Sequence, residues 1–243
     1  MNVSFIIPFH NEERNCRPAI DRIVKFANTN RLKYEIIPVD DRSTDNTPLI
    51  LEEIASKNRH VKPVYRRDDG SEKGNTMGKA LIAGSNRAKG EYVIWTMGDL
   101  ADSVVTYRDI INKLDQGFDL VFGSRYMPGG SRGNLDPLKA SLSSTGTLLA
   151  RILFAIPVHD ITNAFRGFRR KILDRINLRE SGFSILPEFA ILAHLKGYKL
   201  GEVPTTYTNR VEGVSNFKLY KMTQSYLFLY LKLFLQRISG RIN

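Results

Sequence analysis

Short apolar runs and amphipathic stretches alternate along the first hundred residues, and this pattern predicts an α/β architecture. The run 3–9, β-branched and aromatic, reads as a strand, and Asn11-Glu12-Glu13 reads as the capped start of a helix extending to about residue 27. The same unit recurs as strand 34–39, helix 47–56, strand 61–65, helix 76–88 and strand 92–97. Such alternation predicts a central, mostly parallel sheet flanked by helices and joined by right-handed crossovers. Beyond Met97 the spacing loosens. It gives a helix at 107–114, a strand at 120–123, a glycine-rich stretch at 123–133 read as a mobile loop, helices at 138–155 and 183–195, and an edge strand at 201–204.

The stretch 222–235 is apolar almost all round and is interrupted by Lys232. A bilayer-spanning helix needs about 20 mostly apolar residues, so this segment is expected to lie on a membrane surface rather than cross it. Lys218, Lys221, Arg237 and Arg241 bracket it with the charge that anionic headgroups attract. A packing or oligomer-forming helix is the competing reading. The chain therefore divides into 1–217, the main domain, and 218–243, a basic apolar helix.

Composition narrows the partners. In 243 residues, 36 Lys and Arg against 25 Asp and Glu give a net charge of +11, which favours an anionic partner. Nucleic acid is not expected, because the chain shows neither an aromatic ladder nor a compact basic motif. The lone cysteine, Cys16, allows no intrachain disulfide, and the opening residues lack the basic start and cleavage site of a secretory signal. A cytoplasmic setting, peripheral on the inner face of a membrane, is the expectation. His10, His60, His159 and His194 are scattered without ligand spacing, so no zinc site is expected.

The chemistry-bearing residues gather where predicted strands end. Asp40 and Asp41 follow the second strand, and Pro8, Phe9, Asn11 and Glu12 follow the first, so both groups would stand at the rim where such sheets bind nucleotides. Ionised carboxylates accept hydrogen bonds from ribose hydroxyls or base N–H groups. A plain turn with a helix cap is the rival for the acidic cluster alone. Gly98 and Asp99, with Asp102 nearby, follow another buried strand and suit a hard divalent cation, Mg²⁺ or Mn²⁺. Arg125, Arg132 and Arg210 lie in glycine-containing segments and are suited to phosphate. Lys73 and Gly78 stand at a helix start without the full P-loop pattern.

As an ordered set these segments resemble the inverting family-2 glycosyltransferases of GT-A fold, and within them the dolichol- and polyprenyl-phosphate sugar synthases. The set runs through the opening segment 5–13, 39–47, Lys73-Gly74 with Gly78, Gly123-Ser124-Arg125-Tyr126, 160–166 and 210–215. The resemblance implies a Rossmann-like sheet, a nucleotide-sugar donor of the GDP-mannose or UDP-glucose type, a cation held near Asp99 and a membrane lipid phosphate as acceptor. It also implies that Arg125, Arg132, Arg210 and Lys218 meet donor or acceptor phosphate, with Ser124 and Ser215 beside them. The family's Asp-any-Asp is here Gly98-Asp99, so one expected carboxylate is missing, and Asn163-Ala164 stands where the family has small residues with glycine.

A phosphate acceptor fits on chemical grounds as well. It is anionic near neutral pH and attacks without a general base, whereas a sugar hydroxyl needs one. Asp160 and Glu188 are the candidates should a base be required, as for a soluble glycan or protein hydroxyl.

Overall fold

The structure, a computed structural model, describes residues 2–67, 76–208 and 219–240. Seven strands form one sheet in the order β3-β2-β1-β4-β6-β5-β7. The strands are β1 (Asn2–Phe9), β2 (Lys33–Asp41), β3 (Val64–Arg66), β4 (Tyr92–Trp95), β5 (Leu120–Ser124), β6 (Arg166–Arg169) and β7 (Leu200–Pro204). All pair in parallel except β6, which runs antiparallel to both β4 and β5. The helices are α1 (Cys16–Thr29), α2 (Thr47–Lys57), α3 (Met77–Arg87), α4 (Val104–Asp115), α5 (Pro137–Phe154), α6 (Ile185–Leu195) and α7 (Leu219–Ile238).

Two cores flank the sheet because successive strand residues face opposite ways. Phe5, Ile7 and Phe9 pack with Ile20, Leu51 and Tyr107 on the α1, α2 and α4 side. Ile6, Ile37 and Val39 pack with Leu81, Phe154, Phe189 and Tyr230 on the α3, α5, α6 and α7 side. Trp95, Phe168 and Phe189 form an edge-to-face cluster in this second core, with centroids 4.9 to 5.3 Å apart.

Three expectations shift. Helix α1 begins at Cys16, because Asn11 adopts a left-handed φ of 55° and residues 11–15 form a loop. Strand β6 went unread, since Arg166-Gly167-Phe168-Arg169 carries charge at both ends and a glycine within. Gly167 is required there, because a Cβ would stand 2.3 Å from Ile110. The glycine-rich stretch read as mobile is tied to the chain after β7, where Ser131 N–H donates to Thr205 O and Tyr207 N–H to Ser131 O, each at 2.9 Å.

Helix α7 sinks Tyr226, Leu229, Tyr230 and Leu233 against α5 and the core. Its other face exposes Leu227, Phe228, Leu231, Leu235 and Ile238, and beside it α5 exposes Leu148 and Ile152. Among the described residues no helix is long and apolar enough to cross a membrane.

Candidate active site

The carboxyl ends of β1, β2 and β4 open onto a cavity of about 460 Å³, where open α/β sheets bind ligands. Pro8, Phe9, His10 and Glu12 line it from β1 and the following loop, Asp41 and Arg42 from β2, Thr76 and Met77 from the start of α3, and Met97 from the loop after β4. The segment 180–184 before α6 supplies a further wall, with Lys221, Met222 and Ser225 of α7.

The loops after β1 and β2 are laced together. Asn11 Oδ1 accepts from Thr44 N–H at 2.7 Å, and Asn11 N–H donates to Ser43 Oγ at 3.0 Å. Glu12 N–H donates to Thr47 Oγ1 at 2.9 Å, and Glu13 N–H to Asp45 Oδ2 at 3.1 Å. The partnership of these two segments, expected from the sequence, is thus present. Asn11 serves as its staple, and Glu12 lines the cavity.

Adjacent strand residues point to opposite faces, so Asp40 and Asp41 part company. Asp41 lines the cavity, accepts from Thr76 Oγ1 at 2.7 Å and pairs with Arg66. Asp40 turns toward the α1 and α2 layer and accepts from Ser43 N–H at 3.4 Å. Burial, reinforced by the charges of Asp41 and Asp45, pushes its carboxyl pKa up. Of the two carboxylates read together from the sequence, Asp41 faces the cavity and Asp40 does not line it.

Gly98 lies so close beneath Phe9 that a Cβ would stand 2.4 Å from the ring. It therefore lets the loop after β4 pack against Phe9, which lines the cavity. Asp99 is buried and accepts from Ala101 N–H at 3.2 Å, while Leu100 adopts a φ of 62°. That turn brings Asp102 back to the end of β4, where it accepts from Thr96 Oγ1 at 2.7 Å and Met97 N–H at 3.0 Å. Burial and then the charge of Asp99 raise the Asp102 carboxyl to about 7. Asp102 therefore turns back onto the end of β4, and neither it nor Asp99 is among the residues that line the cavity. Among the described residues no group of three or more His, Cys, Asp or Glu could hold a metal. Two carboxylate oxygen donors are nevertheless what a hard cation needs when waters and a diphosphate complete its shell.

Arg125 is committed to Asp160. Its Nε and Nη2 donate to the two carboxylate oxygens at 2.8 and 3.0 Å, and its backbone N–H adds a third bond at 3.1 Å. Asp160 is fully buried, as is Arg166, which donates to the carbonyls of Leu186 at 2.8 Å and Ile161 at 3.0 Å and stacks on Phe122. Burial pulls the Arg166 guanidinium down to about 9, against the opposing pull of Asp160. Asp160 is thus the single anion between two buried cations. Glu188 is also buried and accepts the N–H groups of Arg179 and Glu180 at 3.0 Å, fixing the segment that walls the cavity. Burial pushes its pKa up.

Ser124 is buried and accepts from Met127 N–H at 3.2 Å, holding the turn after β5. Gly78 is pressed against the backbone of Glu180 and Ser181, where a Cβ would stand 2.4 Å from the Glu180 carbonyl. Arg132 lies on an exposed loop apart from the cavity lining. Lys73, Arg210, Ser215 and Lys218 lie outside the described residues. Arg42, Met97, Glu180, Ser184 and Lys221 line the cavity without having been singled out. Arg42 sat inside the quoted acidic segment and Lys221 in the basic bracket of the tail. Met97 directly precedes Gly98 and Asp99, and nothing local marked Glu180 or Ser184.

Comparison with known proteins agrees with this geometry. Residues 4–176 match the sequence profile described as glycosyl transferase family 2. A dolichol-phosphate mannosyltransferase of Pyrococcus furiosus is 34% identical over 221 residues, covering 90% of this chain and 60% of its own. A polyprenol monophosphomannose synthase of Mycolicibacterium smegmatis is 31% identical over 216 residues, covering 86% and 78%. The chain thus spans 60% of the length of the archaeal relative. Among solved structures, glucosyl-3-phosphoglycerate synthase from Mycobacterium tuberculosis, in complex with Mn²⁺, UDP and glucosyl-3-phosphoglycerate, superposes with a TM-score of 0.70 at 17% identity. That match covers 95% of this chain and 79% of the other. S. aureus TarS in complex with UDP-GlcNAc gives 0.63 at 19% identity, covering 95% and 65%. The shared fold is that of the GT-A glycosyltransferases.

Proposed function

The chain belongs to glycosyl transferase family 2, and we propose that it transfers a sugar from a nucleoside-diphospho-sugar to a polyprenyl phosphate, inverting the anomeric centre. The observation that carries this reading is the composition of the cavity: nucleotide-side residues from β1 and β2 on one wall, and α7 on another. The two curated relatives are named for lipid-phosphate mannosyl transfer, which supports the acceptor class and puts GDP-mannose ahead of UDP-glucose.

In this reading Asp41 accepts from the nucleoside, with Pro8, Phe9 and Glu12 closing around it. Asp99 and Asp102 would hold Mg²⁺ or Mn²⁺, which supplies neutralisation of the leaving diphosphate when bound. One structural relative, glucosyl-3-phosphoglycerate synthase, is solved with Mn²⁺ and UDP, which supports a divalent cation as the class. Arg42 and Lys221, from opposite sides of the cavity, add positive charge for phosphate groups. Arg125, held by Asp160, is assigned to the acceptor phosphate.

An acceptor phosphate attacks as the anion, so no base is required. That agrees with the state of Asp160 and Glu188, both buried and saturated by N–H donors. The segment 218–243 is assigned to the membrane surface, with the exposed apolar faces of α7 and α5 turned to the bilayer and the exposed Arg237 toward anionic headgroups.

Incubation with labelled GDP-mannose or UDP-glucose, polyprenyl phosphate in anionic vesicles and Mn²⁺ should yield a lipid-linked sugar, and chelation should suppress it. Transfer to a soluble glycan with none to lipid would refute the acceptor assignment.

A further inference from the structure

We infer that Glu180 reads the hydroxyl groups of the transferred sugar, an assignment that rests on the nucleotide-sugar reading above. Among the described residues three carboxylates line the cavity: Glu12, Asp41 and Glu180. Glu12 and Asp41 belong to the ends of β1 and β2, and Asp41 is engaged by Thr76 and Arg66. Glu180 stands on a different wall, between Arg179 and Ser181 in the segment before α6.

The backbone at Glu180 is fixed from two directions. Its N–H donates to the buried Glu188 carboxylate at 3.0 Å, and its carbonyl rests against Gly78, where no side chain fits. Lys79 N–H, at the start of α3, donates to the neighbouring Ser181 carbonyl at 3.2 Å. A carboxylate on so constrained a backbone is placed rather than free to wander, which is what reading a hydroxyl pattern requires.

The side chain is oriented as well. Oε2 accepts from Ser184 Oγ at 2.9 Å, and Oε1 lies 3.6 Å from Lys232 Nζ of α7. The side chain keeps about a quarter of its surface exposed, on a residue that lines the cavity. A carboxylate oxygen carries two acceptor directions, so each oxygen has one left for a hydroxyl donor. Ser181 and Ser184 flank it in the same wall and can donate or accept, completing a polar surface suited to vicinal hydroxyls. A nucleoside held at Asp41 directs the glycosyl group away from the β1 and β2 walls, and this polar segment is one of the walls the cavity offers beyond them.

The test separates the sugar from the nucleotide. Calorimetric titration of wild type, Glu180→Gln and Glu180→Ala with GDP, UDP, GDP-mannose and UDP-glucose, each with Mn²⁺, needs no lipid. The variants should bind the bare nucleoside diphosphate within about twofold of wild type. They should lose roughly 10- to 100-fold in affinity for the matching sugar nucleotide, the size of one or two hydrogen bonds to a charged group. Binding of the bare diphosphate also reports that the cavity is folded. Equal losses for diphosphate and sugar nucleotide would assign Glu180 a structural role and overturn the inference. Unchanged sugar-nucleotide affinity with turnover reduced a hundredfold or more would make it a base and overturn it equally. Failure of wild type to bind any of the four would refute the nucleotide-sugar reading itself.

Discussion

Replacing Asp160 by Asn decides between a structural and a catalytic carboxylate with little change in shape. In the native structure this fully buried group stands between two buried guanidinium groups, gripping Arg125 through both oxygens and facing Arg166. Removing one partner of a buried pair leaves an uncompensated charge and costs about 3–5 kcal/mol. Here two cations lose their common anion, so the upper half of that range is expected. For a chain of this length about 2–4 °C of melting temperature goes with each kcal/mol, which places the drop at roughly 8–20 °C.

Urea titration and thermal melting of D160N measure that loss, and donor binding by the surviving fold measures the site. The double variant R125M/D160N should lose less than the sum of the two single changes, with a coupling of about 0.5–3 kcal/mol, because it removes one orphaned cation along with the anion. Release of Arg125 should raise the KM for the lipid acceptor, while turnover of D160N at saturating acceptor, assayed well below its melting point, should stay within about tenfold of wild type. A D160N protein with wild-type melting and turnover lowered by three orders of magnitude would refute the reasoning and make Asp160 a base.

Gly78→Ala drives a methyl group into the backbone at Glu180 and should cost about 1–3 kcal/mol by urea titration while raising the donor KM; full stability would show that the contact is loose. Phe228→Glu and Leu231→Glu change residues 69% and 58% exposed, so melting should stay within about 2 °C, and co-sedimentation with anionic vesicles should fall at least tenfold; unchanged sedimentation would assign this face elsewhere. Glu35 supplies a pH signature. Burial raises its carboxyl pKa, but Lys62, Ser4 and the Lys89 N–H more than offset this, and the net shift is downward. Its contribution is therefore fully present above the ordinary value of about 4.5 and is lost as pH falls through the depressed folded value. E35Q should be less stable than wild type by roughly 1–3 kcal/mol at pH 7, and the gap should close on acidification; a gap independent of pH would remove the charge from the explanation.

The order of strands and helices was legible because each parallel strand is buried on both faces and each covering helix on one, which leaves runs of period two and 3.6 in the chain. Strand β6 was not, because an antiparallel insertion at the centre of the sheet, with Arg166 buried and Gly167 under Ile110, carries neither period. At the site, position along the chain located the loops that line the cavity, and Asp41 and Asp99 were placed where the strands end. What a linear reading could not supply is the direction of a side chain and the company it keeps. Asp40 and Asp41 look equivalent until the pleat separates them. Asp160 and Glu188 look like bases until their oxygens are counted against the N–H groups around them. Glu180 looks like any charged loop residue until Gly78 and Glu188 fix its backbone beneath the cavity.

Helix α7 joins these two kinds of information. Its apolar character was plain, but its division into a core face, a cavity edge and an exposed face comes from the fold. Ser225 lines the cavity and Phe228 is exposed three residues later, an axial rise of about 4.5 Å. On the proposed reading, the surface that meets headgroups therefore lies within one helical turn of the cavity edge. A polyprenyl phosphate could present its phosphate to the cavity while its hydrocarbon stays in the bilayer, with no need to withdraw a long apolar chain into water at about 0.8 kcal/mol per CH₂. This geometry offers a physical reason for a positively charged transferase to take a lipid phosphate, with α7 serving as both a wall of the site and its contact with the membrane.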